Sequence, residues 1–261
     1  MEERLDKLLV RNGLVSNRER AKELILENSV LVNNNVINRP SKMVSINSTI
    51  IVNGEDIPYV SKGAYKIEKA IEVFDIDLKG KKILDVGSST GGFTDYFLQN
   101  GATEVHCVDV GTNQLAEKLR NDDRVKVFEK TDFRNYSEKY TYDIISVDVS
   151  FISILLFIDK FNEYLENDTV LIILIKPQFE CGKMIADKFK GVPLNSDIHN
   201  EILNKVISSF EIGDIFCNNL TYSPIRGKSG NIEYLSLFKR NISKRIIDVD
   251  EIIENAFFRL L

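Results

Sequence analysis

The chain has 261 residues and a formal net charge of −5, with 43% apolar and 28% charged residues, which is ordinary for a soluble globular protein. This length predicts a small module together with a larger core domain. The chain opens on carboxylates where a signal peptide has basic residues, and its longest apolar run, Val170–Ile175, is far shorter than the roughly 20 residues of a membrane span. We therefore expect no signal peptide, no membrane span and a cytoplasmic location.

The distribution of charge says more about partners than the sum does. Residues 1–50 carry eight Lys or Arg against six Asp or Glu, and residues 226–245 carry six against one. Two basic patches on an acidic body are compatible with RNA binding but do not establish it. The cysteines Cys107, Cys181 and Cys217 lie far apart in sequence, so we expect neither a metal site nor a disulfide framework.

Residues 1–54 predict a compact module of two helices followed by short strands. Leu5, Leu8 and Leu9 form the apolar stripe of a first helix that Gly13 ends. A second helix follows, which Ser16 and Glu19 can cap and which turns Ala21, Leu24 and Ile25 inward. The predicted strands are Val30–Val32, Val36–Ile37, Met43–Val44 and Thr49–Val52. Residues 55–60 read as a linker.

Residues 61–242 alternate between strand-length apolar runs and helical stretches, and residues 243–261 supply a last helix packed on this domain. The alternation predicts an α/β fold of Rossmann-like type, with a mostly parallel seven-stranded sheet covered by helices on both faces. The predicted strands are Lys82–Val86, Glu104–Asp109, Val125–Glu129, Asp143–Asp148, Val170–Lys176, Ile212–Asn218 and Tyr234–Phe238. The predicted helices are Phe93–Gln99, Asn113–Arg120, Ile152–Leu165, Leu194–Phe210 and Val249–Leu261.

The loop after the first strand of this sheet predicts a cofactor site. Residues 85–93, Asp-Val-Gly-Ser-Ser-Thr-Gly-Gly-Phe, run from the strand end into a helix. Ligands of doubly wound sheets bind beyond the carboxyl ends of the strands, and a helix N-terminus offers free N–H groups to an anion. A dinucleotide site would need glycine at position 89, which is Ser89 here. The loop therefore favours S-adenosylmethionine, with a purely structural turn as the alternative.

Two acids extend the predicted cofactor site. Asp109 ends the second strand 24 residues after Asp85, close to the spacing of an acid that binds ribose hydroxyls. Asp132 follows the third strand and could contact the adenine amino group. The loop and Asp109 together favour a methyltransferase more strongly than the loop does alone.

Four charged residues stand where charge is costly. Asp148 and Lys176 end neighbouring parallel strands, Lys66 lies on a helix before the first strand, and Glu233 opens the last strand. The alternative is that strand ends carry solvated charges, which fits Lys176 poorly because five aliphatic residues precede it. Methyl transfer to a hydroxyl needs positioning and removal of a proton. Lys176 could act as a neutral base or as a charged group that stabilises the alkoxide.

These residues resemble the Lys-Asp-Lys-Glu tetrad of the heat-shock (FtsJ-like) ribose 2′-O-methyltransferases, in the same chain order. The chain looks closest to the TlyA family, often labelled haemolysin A. Segments that carry the resemblance are residues 60–70, 85–93, 108–111, 147–153, 175–180 and 230–234. Residues 4–6, Ser16 and 18–21 resemble an S-four-type RNA-binding domain. Ser88, Asn113 and Asp132 depart from common family residues, and Asp132 is the position at which the departure bears on the expected adenine contact.

The resemblance implies 2′-O-methylation, mainly of cytidine, in ribosomal RNA of both subunits. It implies S-adenosylmethionine as cofactor, no metal, and ribosomal RNA and ribosomal subunits as partners. The sequence does not show the oligomeric state, for which a monomer is favoured. The implied catalytic residues are Lys66, Asp148, Lys176 and Glu233. The implied cofactor-binding residues are Asp85, Gly87, Ser88, Ser89, Thr90, Gly91, Gly92, Phe93, Asp109, Val110, Asp132 and Asp148.

RNA binding is assigned to the N-terminal module. Arg18, Arg20 and Lys22 lie at the start of the second helix, where the helix dipole favours phosphate, and Arg4 and Lys7 could share that face. The alternative for these residues is a solvated helical surface. Two other functions compete for the whole chain, namely a non-catalytic RNA-binding factor and a membrane-lysing protein, since the family is also linked to haemolysis. The intact loop and tetrad disfavour the first, and the absence of a long basic amphipathic helix disfavours the second.

Overall fold

The computed structural model describes residues 1–15, 17–53, 57–166, 168–182, 195–227, 229–240 and 245–260. Within these residues the chain forms a small N-terminal module and a larger domain built on a seven-stranded sheet. None of the described helices is both long enough and apolar enough to cross a bilayer.

The N-terminal module packs two short helices against antiparallel strands. Its elements are β1 (Glu2–Arg4), α1 (Leu5–Arg11), α2 (Arg18–Leu26), β2 (Val30–Val32), β3 (Asn35–Val36), β4 (Met43–Ser45) and β5 (Ile50–Val52). The predicted apolar stripes form its core, in which Leu5, Leu8 and Leu9 of α1 are fully buried. The apolar pattern does not predict β1, because Glu2–Arg4 contains no apolar residue; this strand pairs with β4.

Helix α2 begins one residue later than the predicted capping box. Asn17 is its N-cap, and the Asn17 side chain accepts a hydrogen bond from the backbone N–H of Arg20 at 2.9 Å. The predicted cap Ser16 lies outside the described residues. Asn is as good an N-cap as Ser, because its side-chain oxygen satisfies an N–H group that has no partner within the helix.

The larger domain is built on one mostly parallel sheet, as the alternating pattern predicts. Its strands follow the order β11-β12-β10-β9-β6-β7-β8, in which only β12 and β11 pair antiparallel with their neighbours. The strands are β6 (Lys82–Val86), β7 (Glu104–Val108), β8 (Val125–Phe128), β9 (Ile144–Val147), β10 (Val170–Ile175), β11 (Ile215–Tyr222) and β12 (Tyr234–Arg240). The carboxyl ends of β6, β7, β9 and β10 therefore meet at one edge.

Helices cover both faces of this sheet. They are α3 (Ala64–Phe74), α4 (Gly92–Gln99), α5 (Glu117–Arg120), α6 (Ile158–Tyr164), α7 (Pro177–Glu180), α8 (Ser196–Glu211) and α9 (Val249–Leu260). Along β10, Leu171, Ile173 and Ile175 face a core that includes α6, α8 and α9, whereas Ile172 and Leu174 face a core that includes α3 and α4. Because β10 is buried on both faces, it is apolar throughout, without the polar alternation of a half-exposed strand.

Some boundaries differ from the predicted ones. The predicted helix over 113–120 is present only as α5, and that over 152–165 is split into a 3₁₀ turn at Ile154–Phe157 and α6. Strand β11 starts later than predicted, because Ile212 caps the preceding helix and Asp214 adopts a left-handed turn with φ of 57°. The last helix α9 packs against α8 and β11.

A buried carboxylate joins the two helices of the N-terminal module. The Asp6 side chain is fully buried and accepts hydrogen bonds from the guanidinium groups of Arg4 (2.9 and 3.0 Å) and Arg18 (2.9 Å). Burial by itself would raise the pKa of Asp6, but the hydrogen bonds from the two arginines outweigh burial and hold this pKa below its usual range. The charged carboxylate thus stabilises the folded module.

We predict that Asp6→Ala lowers the free energy of unfolding of the N-terminal module by about 1–3 kcal/mol, because two guanidinium groups lose a charged acceptor. The pKa of Asp6 is lower in the folded state, so the stabilisation is present above the unfolded pKa of about 3.9 and is lost as pH falls through the folded value. Thermal unfolding across a pH series tests this, with the exposed Glu2→Ala as control. Equal melting temperatures for both variants near pH 7 would contradict it.

Candidate active site

Two oppositely charged pairs meet at the carboxyl edge of the sheet. Lys66 Nζ of α3 lies 2.6 Å from Glu233 Oε2, at the start of β12. Lys176 Nζ, after β10, lies 2.5 Å from Asp148 Oδ1, after β9. These strand ends are neighbours because β10 pairs with both β9 and β12, and Ile175 lies opposite Tyr234. The fold thus brings together all four charged residues singled out in the sequence.

The first pair, Lys66 and Glu233, is buried, and its lysine also feels the charge of Asp148. Lys66 is 9% exposed and Glu233 is 3% exposed. Burial disfavours the charge on Lys66, but the carboxylates of Asp148 and Glu233 outweigh it, and the pKa of Lys66 is raised above its ordinary value. Lys66 is therefore a charged residue at neutral pH, and Asp148 links the two pairs electrostatically.

The second pair holds the lysine from two sides. Besides its contact with Asp148, Lys176 Nζ donates a hydrogen bond to Ser150 Oγ at 2.8 Å. The Lys176 side chain is buried, whereas Ser150 is exposed. These two contacts fix the amine of Lys176 in place beside Asp148 and Ser150, both of which line the cleft described below.

The Glu233 carboxylate has two further neighbours. Gln178 Nε2 donates to Glu233 Oε1 at 3.4 Å. Gly227, in the loop before β12, lies so close that a Cβ atom there would be 2.4 Å from the same oxygen. Only glycine therefore leaves this carboxylate undisturbed.

The loop between β6 and α4 packs directly on the strand that carries Asp148. Gly87 has φ of 81°, and a Cβ atom at this position would lie 2.6 Å from the backbone oxygen of Asp148. Ser89 replaces the middle glycine of a dinucleotide motif and itself adopts a positive φ of 47°. Its backbone N–H donates to Asp109 Oδ2 at 2.8 Å, which fixes the turn.

Asp109 directly follows β7 and organises the wall of the cleft. Its two carboxylate oxygens accept hydrogen bonds from the backbone N–H groups of Ser89 (2.8 Å) and Gly111 (2.6 Å). This carboxylate keeps further lone pairs for a ligand. Its place after the second strand suits the paired hydroxyls of a ribose.

A cleft of about 320 Å³ runs from this loop to Asp148, which is the member of the two charged pairs that lines it. Of the residues expected to bind the cofactor, Gly87, Ser89, Asp109, Val110, Asp132 and Asp148 line it. Its wall also has apolar parts, among them Phe133 and Phe157. A depression at the opposite edge of the sheet, lined by Asp143, Glu166 and Asp168 among others, is acidic and contains none of the four paired residues.

Other residues of the predicted cofactor set lie beneath the cleft. Ser88, Gly91, Gly92 and Phe93 are buried, and Thr90 is half-buried. Asp85 is fully buried and accepts hydrogen bonds from Thr94 Oγ1 (2.7 Å) and Ser146 Oγ (2.9 Å). Burial raises the pKa of Asp85 to about 6. In this structure Asp85 thus supports the loop from below.

The carboxylate of Asp132 is engaged with a neighbour. It accepts hydrogen bonds from the backbone N–H and the guanidinium group of Arg134, the latter at 2.5 to 3.2 Å. These contacts occupy much of the hydrogen-bonding capacity that the predicted adenine contact requires.

The predicted RNA-binding residues divide by exposure. Lys7 is exposed and Lys22 is half-exposed, and the guanidinium groups of Arg4 and Arg18 remain partly accessible although both contact Asp6. The prediction for Arg20 is not supported, because this residue is only 4% exposed and its guanidinium group lies 3.4 Å from Glu23. Arg20 stands four residues before the buried Leu24, so helical periodicity already places it beside the apolar face.

Several residues of this site have no individual role predicted from the sequence. Ser150 and Gln178 contact the paired charges, and Gln114 accepts a hydrogen bond from Ser89 Oγ at 3.3 Å. Phe151 is 91% exposed beside the cleft, and its ring centroid lies 5.2 Å from that of Phe179. All of these residues lie within a few positions of a strand end or of the cofactor loop, and all except Gln114 lie within segments 147–153 and 175–180 that carry the family resemblance.

The fold and the cleft together define an S-adenosylmethionine-dependent methyltransferase of Rossmann-like type. The family model described as FtsJ-like methyltransferase matches residues 59–240, and the S4 domain model matches residues 3–50. The chain therefore belongs to the FtsJ-like methyltransferase family and carries an S4 domain at its N-terminus.

Named relatives are similar to this chain over most of its length. A candidate rRNA methyltransferase, YqxC of Bacillus subtilis, is 42% identical over 89% of this chain and 84% of its own length. The 16S/23S rRNA (cytidine-2′-O)-methyltransferase TlyA of Mycobacterium tuberculosis is 36% identical, over 99% of this chain and 97% of its own length. A solved structure of a candidate hemolysin from Streptococcus thermophilus superposes with a TM-score of 0.78 at 35% identity, over 99% of this chain and 96% of that one.

We predict that Asp109→Ala weakens S-adenosylmethionine binding tenfold or more, because hydrogen bonds to a charged group contribute roughly 1.5–3 kcal/mol. Calorimetric titration of the folded variant measures this. Asp77→Ala, an exposed acid at the opposite edge of the sheet, is the matched control and should bind like wild type. Wild-type affinity in the Asp109 variant would place the cofactor elsewhere.

Proposed function

We propose that this protein methylates a ribose 2′-hydroxyl of ribosomal RNA, chiefly on cytidine, as the name of the Mycobacterium tuberculosis relative states for that enzyme. The observation that carries the proposal is the position of Asp148. Its carboxylate contacts Lys176, and the same residue lines the cleft beside Gly87. Cofactor cleft and paired lysine therefore adjoin, as a transfer reaction requires.

The residues that line the cleft fit S-adenosylmethionine. Asp109 would hold the ribose hydroxyls, the turn of Gly87 and Ser89 would hold the methionine part, and Val110 and Phe133 would supply apolar contact. When bound, this cofactor supplies a methyl group that is electron-poor and open to attack by an oxygen. The carboxylate of Asp148 lies where it can stabilise the positive charge of the cofactor's sulfonium group before the methyl group is transferred.

The lysine pairs would act on the acceptor. Lys176 is bracketed by Asp148 and Ser150, so its Nζ can hold the hydroxyl in line with the methyl donor. Positioning of this kind can supply about 7–11 kcal/mol of the barrier reduction. Lys176 either takes the hydroxyl proton or stabilises the alkoxide that forms. Lys66 and Glu233 form a fixed charge pair that completes the wall around the reacting oxygen.

RNA recognition would be divided between the two parts of the chain. The S4 domain offers Lys7, Arg18 and Arg4 to phosphates, contacts that position RNA without reading its sequence. Phe151, at the rim of the cleft, offers an aromatic face on which the target base can stack. A ribosomal substrate places the protein in the cytoplasm.

We predict that Lys176→Ala abolishes methyl transfer to ribosomal RNA while S-adenosylmethionine binding persists, because Lys176 acts on the acceptor. Labelled-methyl incorporation and calorimetry on the same preparation measure the two properties. Lys160→Ala, whose lysine pairs with Glu163 on α6, is the control and should keep full activity. Turnover near the wild-type rate in the Lys176 variant would contradict the role. The pH–rate profile of the wild type distinguishes the two roles of Lys176, as a neutral base or as a charged group that stabilises the alkoxide.

We also predict that removal of residues 1–54 leaves cofactor binding nearly unchanged and removes most activity on ribosomal RNA. Arg18→Ala should weaken RNA binding and reduce its salt dependence by a slope of roughly one unit per lost phosphate contact. Arg20→Ala should instead lower the melting temperature, because Arg20 is buried. Equal activity of truncated and full-length protein across a salt series would show that the S4 domain does not anchor the RNA.

A further inference from the structure

Two helices from opposite faces of the sheet both contact its edge strand β11. Helix α3 packs with the core on one face and contacts both β11 and β12, whereas α9 packs with the core on the other face and contacts β11. Strand β11 is an edge strand and ends at Tyr222. The side chains of the two helices can therefore approach each other around this strand end.

Two cations lie near each other at this edge. Lys69 of α3 places its Nζ 3.4 Å above the centre of the Tyr222 ring. Burial, followed by the nearby positive charge of Arg259 on α9, lowers the pKa of Lys69 to about 8. Arg259 is exposed, and Lys69 is half-buried. In the part of the chain that the structure describes, neither cation forms an ion pair with a carboxylate.

This arrangement differs from most other charged contacts of the protein. Lysines such as Lys62 and Lys118 lie within 3 Å of a carboxylate. At the β11 edge the ammonium group of Lys69 instead lies over an aromatic ring, near enough to Arg259 to be repelled by its like charge, and a bound anion would offset this repulsion. A phosphate oxygen could be shared between the ammonium group of Lys69 and the forked guanidinium group of Arg259.

The edge lies next to the catalytic tetrad. Lys69 follows Lys66 by three residues, so the two lie on the same side of α3. Tyr222 pairs with Tyr234, which directly follows Glu233. An RNA strand whose ribose reaches Lys176 can therefore extend along this edge. The loop after Tyr222 begins the basic stretch 226–245, and its Arg226 is exposed.

We propose that Lys69, over the ring of Tyr222, and Arg259, on the helix that packs against β11, form a phosphate-binding subsite for the RNA backbone that flanks the target nucleotide. The inference rests on the proposed function and deepens it. The methyltransferase domain and its last helix would grip RNA themselves, in addition to the S4 domain.

The test compares Lys69→Gln and Arg259→Gln with Lys79→Gln, an exposed lysine at the opposite edge of the sheet. The probes are purified ribosomal subunits and a labelled single-stranded oligoribonucleotide. Each subsite variant should bind the oligoribonucleotide several-fold more weakly, with a salt-dependence slope smaller by roughly 0.7. In both subsite variants KM for subunits should rise with little change in kcat, and the affinity for the cofactor should stay at the wild-type value. The conservative variant Lys69→Arg should bind the oligoribonucleotide like the wild type. If the salt-dependence slopes of Lys69→Gln and Arg259→Gln equal that of Lys79→Gln, the proposed subsite is wrong.

A direct readout is the titration of Lys69 by NMR in the full-length protein. The oligoribonucleotide should raise the pKa of Lys69, because a bound phosphate favours the charged amine. Inorganic phosphate at the same concentration should change it much less; an equal effect would indicate a free-anion site and overturn the assignment to RNA. If the wild type transfers no methyl group to ribosomal RNA, the proposed function fails, and these two binding measurements still decide whether the subsite exists.

Discussion

The buried ion pair between Lys66 and Glu233 joins the first helix of the methyltransferase domain to its last strand, across 167 positions of sequence. Both side chains are nearly inaccessible to water, so loss of either partner would leave a buried charge, at a cost of about 3–5 kcal/mol. This constraint fixes α3 against the β12 end of the sheet. It also sets one wall of the site, because Gly227 and Gln178 both approach Glu233.

The second pair depends on the same edge. Strand β10 lies between β9 and β12, so Lys176 emerges between the elements that carry Asp148 and Glu233. Gly87 contacts the backbone of Asp148 at a distance that no side chain would allow, so the cofactor loop and the catalytic strand end form one rigid wall. Preorganisation of this kind lets fixed charges act on the reaction without first having to reorient.

The sequence predicts the sheet and the meeting of two of the four charged residues, Asp148 and Lys176, on physical grounds, because parallel strands that follow each other through helices must end at the same edge. The partner of Lys66 is different. Nothing in its spacing points to Glu233, since the antiparallel return of β12 brings them together, and only the family resemblance linked them. The basic cluster on α2 shows a case in which the sequence pattern misleads. Arg18 contacts Asp6 and stays partly exposed, whereas Arg20 contacts Glu23 and is buried.

The central claim is that the fixed lysine pairs direct a methyl group to a ribose oxygen of ribosomal RNA. The most direct measurement is mass mapping of RNA nucleosides after ribosomal subunits are incubated with this protein and isotope-labelled S-adenosylmethionine. The account predicts label on the sugar, as 2′-O-methylcytidine at one or a few positions, and none with heat-inactivated protein. Label on a base, or no label on either subunit or on naked ribosomal RNA, would contradict it.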